Sequence, residues 1–425
     1  MTPGVTPLPW QIEPIARIAA NLRSGRSCCD LSDPGIGKTF STLFAAREVG
    51  AALGVVCPKC VVPAWEEAAQ MVGVRLTFCQ NVEQLKTDRH FWLDRVRGGN
   101  WRWRIPDDTV LVFDEVHGFA GPDTENGLIL ACAPRPTIML SATAADSPLR
   151  MRAVAHQLGL CRWPDFWEWA ARHGCEKNWR RGWVFRGGRE AMVPLHSFLF
   201  GEGLAVRVRK ADLGDAFPEN RIRTIEVPVE DPETLDHEYA AALRELRDDA
   251  TTDMGRLTRC RQLAEFAKIP ALIELARNDI EEGQSVAIFV NYKDSAARIA
   301  TALGCRQITG DVSPEEREEA RRRFQENLDF AAVLTNDAGG QSIGLHDIRG
   351  VRPVSTKICP GFSARLLIQA LGRGHRAKGL SPVDQTIVFA KGVEVEKTVR
   401  WNVERKKGCI ETLNDGDLDG IRVSL

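Results

Sequence analysis

Short apolar runs rich in β-branched residues alternate along this chain with stretches in which apolar positions recur every three or four residues. The first pattern marks strands and the second helices, and their regular alternation is the signature of α/β layers. Strands are expected in the first half at Ser27–Leu31, Gly54–Cys57, Thr109–Phe113 and Thr137–Leu140. In the second half they are expected at Ser285–Val290, Phe330–Thr335, Val354–Cys359 and Gln385–Ala390. Helical patterns follow several of them, at Lys38–Val49, Asp294–Leu303 and Ala364–Leu371. Two halves with the same alternation predict an α/β fold of two related lobes, each a parallel sheet flanked by helices.

Between the halves the texture changes. Residues 150–185 read as helix, with Trp163, Trp167, Trp169, Trp179 and Trp183 bunched together. Residues 232–282 also read as helix, and Pro270 inside that pattern predicts a break or a helix start. The expected division is lobe 1 over 1–150, small helical protrusions and a linker over 151–262, and lobe 2 over 263–410. Asn414, Asp415, Asp417 and Asp419 predict a mobile acidic tail over 411–425.

Composition narrows the class. The 425 residues are 44% hydrophobic and 27% charged, the proportions of a soluble globular protein. No apolar run approaches the roughly 18–20 residues that span a bilayer, and the first residues lack the basic and apolar regions of a signal peptide. No membrane association is expected, and a cytoplasmic location is, with a nuclear one for a eukaryotic or viral protein. Lys and Arg total 56 against 57 Asp and Glu, so binding to nucleic acid would have to come from local clusters. The basic residues are mostly Arg, a bias that suits phosphate contacts but that a GC-rich genome also produces. The 12 cysteines are scattered, and the one CxxC, Cys57 and Cys60, has no matched second pair. No zinc site and a reduced interior are therefore expected.

One segment carries recognisable chemistry. Asp33-Pro-Gly-Ile-Gly-Lys-Thr39 follows an apolar run and opens a helix. Gly35 and Gly37 let backbone N–H groups turn toward phosphate oxygens, and the helix N-terminus adds its dipole to the same anion site. Lys38 would reach the β- and γ-phosphates of a nucleotide, and the Thr39 hydroxyl would ligate Mg²⁺. The general phosphate-loop spacing asks for glycine where Ser32 stands, so the shorter D-x-G-x-G-K-T form is the one that fits. A second segment completes it. Thr109-Val-Leu-Val-Phe-Asp-Glu-Val-His117 is a buried β run ending in two acids. A parallel strand delivers such acids to the sheet edge that also holds the phosphate loop. Asp114 would hold Mg²⁺, partly through water, and Glu115 would polarise the attacking water.

With Ser141-Ala-Thr143 after a third apolar strand, these motifs form a series. The chain resembles the superfamily-two helicases and translocases at DPGIGKT, DEVH and SAT. In the second half Ile288–Ser295, Leu334–His346 and Gln369–Arg376 resemble that superfamily's fourth, fifth and sixth motifs, over about residues 10–400. The resemblance implies two RecA-like lobes, ATP and Mg²⁺ as cofactors, and movement on nucleic acid. Cys57-Pro-Lys-Cys-Val-Val-Pro-Ala-Trp-Glu-Glu67 is similar to the Swi/Snf-type W-x-x-E motif. Leu204–Leu213 followed by Phe217-Pro-Glu-Asn-Arg221 is similar to the segment that bridges the lobes in that family. The sixth motif, GRGHRAKG, and the fifth, GGQSIGLHD, depart from the Swi/Snf pattern.

The nucleotide-binding set the resemblance implies is Gln11, Gly35, Ile36, Gly37, Lys38, Thr39, Phe40 and Gly344, with Gln11 reading adenine. The catalytic set is Lys38, Asp114, Glu115 and two arginine fingers, Arg373 and Arg376, expected three apart on one helix so that both face one side. His117, Ser141, Thr143 and Gln369 would couple nucleotide state to lobe movement. For nucleic acid the candidates are Arg102 and Arg104, interleaved with Trp101 and Trp103, and Lys177, Arg180 and Arg181 in a second basic and aromatic cluster. Those tryptophans stack on bases or pack small protrusions; the sequence admits both.

The expected function is an ATP-dependent DNA translocase or helicase that remodels forks, anneals or separates strands, with DNA and replication or repair proteins as partners. The W-x-x-E and FPENR features tilt the reading to duplex DNA. The alternatives are an RNA helicase, and a nucleotide-gated motor or clamp subunit that needs a partner.

Overall fold

The computed structural model describes residues 5–87, 91–96, 100–179, 182–248, 254–339, 344–377 and 379–416. Its internal contacts divide the chain into two units: Met1–Leu213 with Lys407–Gly420, and Gly214–Lys406 with Ile421–Leu425.

Among the described residues the first unit holds ten strands: β1 (Cys28–Asp30), β2 (Ala52–Val56), β3 (Leu76–Gln80), β4 (Leu93–Arg95), β5 (Trp101–Trp103), β6 (Thr109–Asp114), β7 (Thr137–Leu140), β8 (Cys175–Asn178), β9 (Gly182–Phe185) and β10 (Ala205–Val206). Six of them form a parallel sheet in the order β10-β1-β7-β6-β2-β3. Side chains alternate across a strand, so β6 sends Val110 and Val112 into one core and Leu111 and Phe113 into the other. Burial on both faces is what makes its sequence a continuous apolar run. Helices Ile12–Arg23, Lys38–Val49 and Val62–Val72 cover the first face through Ile18, Leu43, Trp65 and Ala69. The opposite core takes in Ile129, Val154, Phe166, Leu195 and Leu199.

The second unit holds β11 (Asn220–Val227), β12 (Ser285–Val290), β13 (Arg306–Ile308), β14 (Ala331–Thr335), β15 (Val354–Ile358) and β16 (Val383–Ala390), all parallel, in the order β11-β16-β15-β12-β14-β13. Val286, Ile288 and Val290 of β12 pack against Ile269, Leu272 and Ala276 of helix Met254–Glu281 and Ile299 of helix Lys293–Leu303. The two-lobed α/β class read from the sequence is the class observed.

The eight strands the pattern predicted are the eight interior strands of the two sheets. The four strands of these two sheets that it missed, β3, β10, β11 and β13, are their four edges. An edge strand is covered on fewer sides and need not be apolar: β11 reads Asn-Arg-Ile-Arg-Thr-Ile-Glu-Val.

By internal contacts residues 151–213 group with the first unit and 214–262 with the second. Three further expectations are corrected. The helix expected across 150–185 gives way after helix Phe166–Arg172 to the antiparallel hairpin β8–β9, where Gly174 and Gly182 take positive φ. Helix Met254–Glu281 runs through Pro270; buried Ala264, Ile269, Leu272 and Ala276 anchor it on both sides, and their packing outweighs the one lost backbone bond. The final helix, Glu394–Asp415, occupies 411–415 where a tail was expected, with Cys409 and Leu413 buried in the first unit's core. Residues 417–425 lie outside the described set. Among the described residues no helix is long and apolar enough to cross a membrane.

The carboxyl ends of the second sheet are tied by a buried polar network. Glu265 accepts from the backbone N–H groups of Asn291 and Tyr292, at 2.9 and 3.1 Å, and the side chains of Asn291 and Asn336 both donate to the Cys359 carbonyl. One turn on, Lys268 donates to Glu396 at 2.7 Å, the two side chains being 1% and 6% exposed. Burial opposes the lysine's charge, but Glu396 holds it above the usual lysine range. Replacing one partner strands a buried charge at a cost of about 3–5 kcal/mol. Lys268→Ala should therefore lower the chemical-denaturation midpoint sharply, and Lys268→Met with Glu396→Leu should recover part of that loss.

Candidate active site

The site is assembled at the carboxyl edge of the first unit's sheet. β1 ends at Asp30, β6 at Asp114 and β7 at Leu140, next to one another in the sheet apart from β7 lying between the other two. Because parallel strands all end on the same side, the phosphate loop, the acidic pair and the Ser-Ala-Thr turn are brought together by topology alone. The backbone N–H of Ser141 donates to the Asp30 carbonyl at 3.1 Å and stitches two of them directly.

The phosphate loop leaves β1 and enters helix Lys38–Val49. Gly35 and Gly37 have φ of +83° and +98°, a region that favours glycine. A Cβ on Gly37 would stand 2.6 Å from Gln11 Nε2. Gln11 is 2% exposed; it donates to the Gly37 carbonyl at 3.0 Å and accepts from the Leu8 N–H at 2.9 Å. Trp10 Nε1 donates to the Ile36 carbonyl at 3.1 Å. Two carbonyls of the loop thus face inward on side chains from the N-terminal segment. Lys38 Nζ rests on the Ser32 and Asp33 carbonyls at 2.7 and 3.1 Å. Ser32, standing where the general spacing has glycine, is fully buried, and its Oγ accepts from the Val208 N–H at 2.9 Å. Ile36 is buried, whereas Phe40 is half-buried and packs onto the core near Phe44.

Asp114 accepts from Trp65 Nε1 at 2.9 Å through one oxygen and from the Glu115 N–H at 3.0 Å through the other. Burial and the neighbouring Glu115 charge push its pKa up to about 6, while Trp65 and the Lys38 ammonium work the other way. Two carboxylates that destabilise each other's charge form a donor set that favours a hard cation. Glu115, itself at φ +53°, lies 3.1 Å from His117 Nδ1 and accepts from Ser141 Oγ at 3.4 Å; His117 Nδ1 and Ser141 Oγ are 3.1 Å apart. Ser141 Oγ also accepts from the Thr143 N–H at 3.1 Å. Glu115 and His117 therefore both hydrogen-bond the Ser141 hydroxyl and lie 3.1 Å from each other.

Three members were missing from the sequence reading. Trp65 holds Asp114. Asp30 is 1% exposed; one of its oxygens accepts from the Ser32 N–H at 2.9 Å and the other has no hydrogen-bond partner. Burial raises its pKa and the Lys38 ammonium opposes that rise. Arg207 reaches Asp33 at 3.0 Å. The signal for Trp65 was present in W-x-x-E and that for Arg207 in the Leu204–Leu213 segment; nothing local distinguishes Asp30.

Arg373, Arg376, Gly344 and Gln369 lie in the second unit. Helix Ala364–Gly374 ends before Arg376, and His375 is extended, so the two arginines do not share a helix face as expected. Arg373 is 4% exposed and Gln369 is buried. A Cβ on Gly344 would stand 3.4 Å from Arg376 Nη1. His375 Nε2 is 2.9 Å from the Pro218 carbonyl.

The nucleic-acid candidates divide. Trp101 is buried, and Trp103 donates to the Ile129 carbonyl at 3.0 Å and packs on Phe78 and Phe113, so both are core residues. Arg102 is exposed and Arg104 is paired with Asp94. Trp167 stacks on Trp183 with ring centres 5.1 Å apart; Lys177 is exposed and Trp179 is 83% exposed. Arg180 and Arg181 lie outside the described residues.

Residues 267–378 match the family model described as the helicase conserved C-terminal domain. A protein of Acanthamoeba polyphaga mimivirus, provisionally named an ATP-dependent RNA helicase, is 29% identical over 97% of this chain and 84% of its own length. The chain is an ATP-hydrolysing helicase. The ATP-dependent rRNA helicase RRP3 of Encephalitozoon cuniculi is 32% identical over 33% of this helicase and 34% of itself. A variant of S. cerevisiae Dbp5, solved with RNA and ADP BeF3, superposes with a TM-score of 0.51 at 13% identity, over 95% of this chain and 92% of that one; it shares the two-lobed RecA-like fold. These relatives lend no support to the Swi/Snf branch suggested by W-x-x-E.

Gln11→Ala removes one hydrogen bond from the loop, to the Gly37 carbonyl, and one from Leu8, and should raise KM for ATP about threefold to tenfold with kcat nearly unchanged, as steady-state ATPase measurements would read. Gly37→Ala forces both a positive φ and the 2.6 Å contact, and should abolish nucleotide binding in a filter or fluorescence assay.

Proposed function

We propose that this helicase acts on RNA, using ATP bound at the Asp33–Thr39 loop. The observation that carries the reading is the similarity along 97% of the chain to the mimivirus protein provisionally named an RNA helicase. The expectation of duplex DNA, and with it of replication and repair partners, rested on W-x-x-E and FPENR. Trp65 is occupied with Asp114, and Phe217 packs against the His375 ring at 5.4 Å while Asn220 and Arg221 open β11. Each feature has a structural task that is independent of the nucleic acid, so neither argues for DNA.

In this reading Gln11 and the loop amides bind and orient ATP. Lys38 leaves its carbonyl perch for the phosphates. Thr39 and Asp114 would hold Mg²⁺, which supplies charge to offset that of the phosphates. Glu115 polarises the attacking water, and its ties to His117 and Ser141 let its position respond to the Ser-Ala-Thr turn. Arg373 and Arg376 offer positive charge to the transferring phosphoryl group, and Gly344 lies beside Arg376. Gln369 completes that group. Exposed Arg102 and Lys177 are candidates for phosphate contacts that do not read sequence.

Steady-state ATPase activity with RNA, single-stranded, duplex and forked DNA tests this. The expected result is stimulation of about tenfold or more by RNA, absent in Lys38→Ala. Preferential stimulation by duplex or forked DNA would return the protein to the translocase reading. Nucleotide binding with no stimulation by any of them would point instead to a subunit that needs a partner.

A further inference from the structure

We propose that the last turns of the C-terminal helix, Lys407–Asp415, are a working part of the nucleotide site, and that Arg207 is the positioning residue through which Asp415 holds the phosphate loop.

Arg207 is 12% exposed and spends its planar fork on three partners. Nη1 donates to the Leu31 carbonyl at 2.6 Å, Nη2 lies 3.0 Å from Asp33 Oδ1, and Nε and Nη2 both reach the Asp415 carboxylate, Nη2 at 3.1 Å. A guanidinium can satisfy two carboxylates and a carbonyl at fixed angles; an ammonium cannot do so in one plane. Asp33 is gripped on its other side as well. Its Oδ2 accepts from the Lys210 N–H at 2.9 Å, and its N–H donates to the Val208 carbonyl at 3.0 Å. Residues 206–210 therefore lie as a splint along the first leg of the loop. That leg supplies the carbonyls on which Lys38 rests, so a shift of Asp33 is a shift of Lys38.

The helix end meets the site at a second point. Asn414, 3% exposed, donates to the Ala142 carbonyl at 2.9 Å, inside the Ser-Ala-Thr turn. His196 Nδ1 is 3.0 Å from the Leu413 carbonyl and Leu413 is fully buried. Three successive residues of one helix thus address a core helix, the turn after β7 and the clamp on the phosphate loop.

Charge explains why the clamp bears on nucleotide. Asp30 and Asp33 put two carboxylates beside a loop that must take a polyanion. Arg207 neutralises Asp33, and Asp415 keeps Arg207 there. Without the clamp, Asp33 is both displaced and left as an unpaired negative charge near the phosphates.

The test is nucleotide affinity without nucleic acid, measured with a fluorescent ADP analogue and by competition with ATP, alongside thermal melting. It is therefore independent of the RNA reading, and loss of binding in Lys38→Ala verifies the phosphate loop itself. Asp415→Asn and Arg207→Lys are expected to weaken binding about threefold to tenfold while the proteins stay folded, with ATP affected more than ADP. Arg207→Ala should lose more, and adding Asp33→Asn to it should restore part of the affinity. Glu404→Ala, on the exposed face of the same helix, should bind as the wild type does. Wild-type affinity in folded Asp415→Asn, or a fall in melting temperature with no change in affinity, would overturn the proposal. So would failure of Asp33→Asn to rescue.

Discussion

A parallel sheet sends the carboxyl ends of all its strands to one edge, and the active site of this helicase depends on that constraint. β1, β7 and β6 are adjacent in the first unit's sheet, and the three turns that leave them carry the phosphate loop, the Ser-Ala-Thr turn and the acidic pair. No long-range recognition is needed to collect these groups. What the remaining structure supplies is restraint: Gln11 and Trp10 hold the loop carbonyls, Trp65 holds Asp114, and Arg207 holds Asp33.

That edge carries an excess of carboxylates around one lysine. Burial raises the pKa of Asp30, and burial with the Glu115 charge raises that of Asp114, while Lys38 lowers both. Burial alone would favour protonation of both acids. The ammonium of Lys38, the Trp65 donor and the Arg207 fork each stabilise the charged forms instead. The arrangement is suited to a ligand that brings its own cation, as a nucleotide triphosphate with Mg²⁺ does.

The parts of this architecture that were legible in the sequence are those with a local signature. Interior strands such as Thr109–Asp114 announce themselves because both faces are buried, and Gly35-Ile-Gly-Lys-Thr39 because only glycine tolerates the turn. Edge strands carry no such signal, which is why β3, β10, β11 and β13 escaped. The hairpin β8–β9 was hidden by its tryptophans, which suit a helix equally well, though Gly174 precedes its first strand and Gly182 opens its second. Partnerships across the chain were illegible altogether. Trp65 finds Asp114 from 49 residues away and Arg207 finds Asp415 from 208, separations at which composition and spacing say nothing. Arg376 was placed on a helix that in fact stops at Gly374.

The central claim is that Glu115, held against His117 and Ser141, activates water for ATP bound on the Asp33–Thr39 loop. Single-turnover hydrolysis by Glu115→Gln, with nucleotide affinity measured on the same sample, tests it most directly. The account predicts a hydrolysis rate lower by at least about a hundredfold with ATP affinity changed only a few-fold. Hydrolysis at the wild-type rate, or loss of ATP binding in step with loss of hydrolysis, would contradict it.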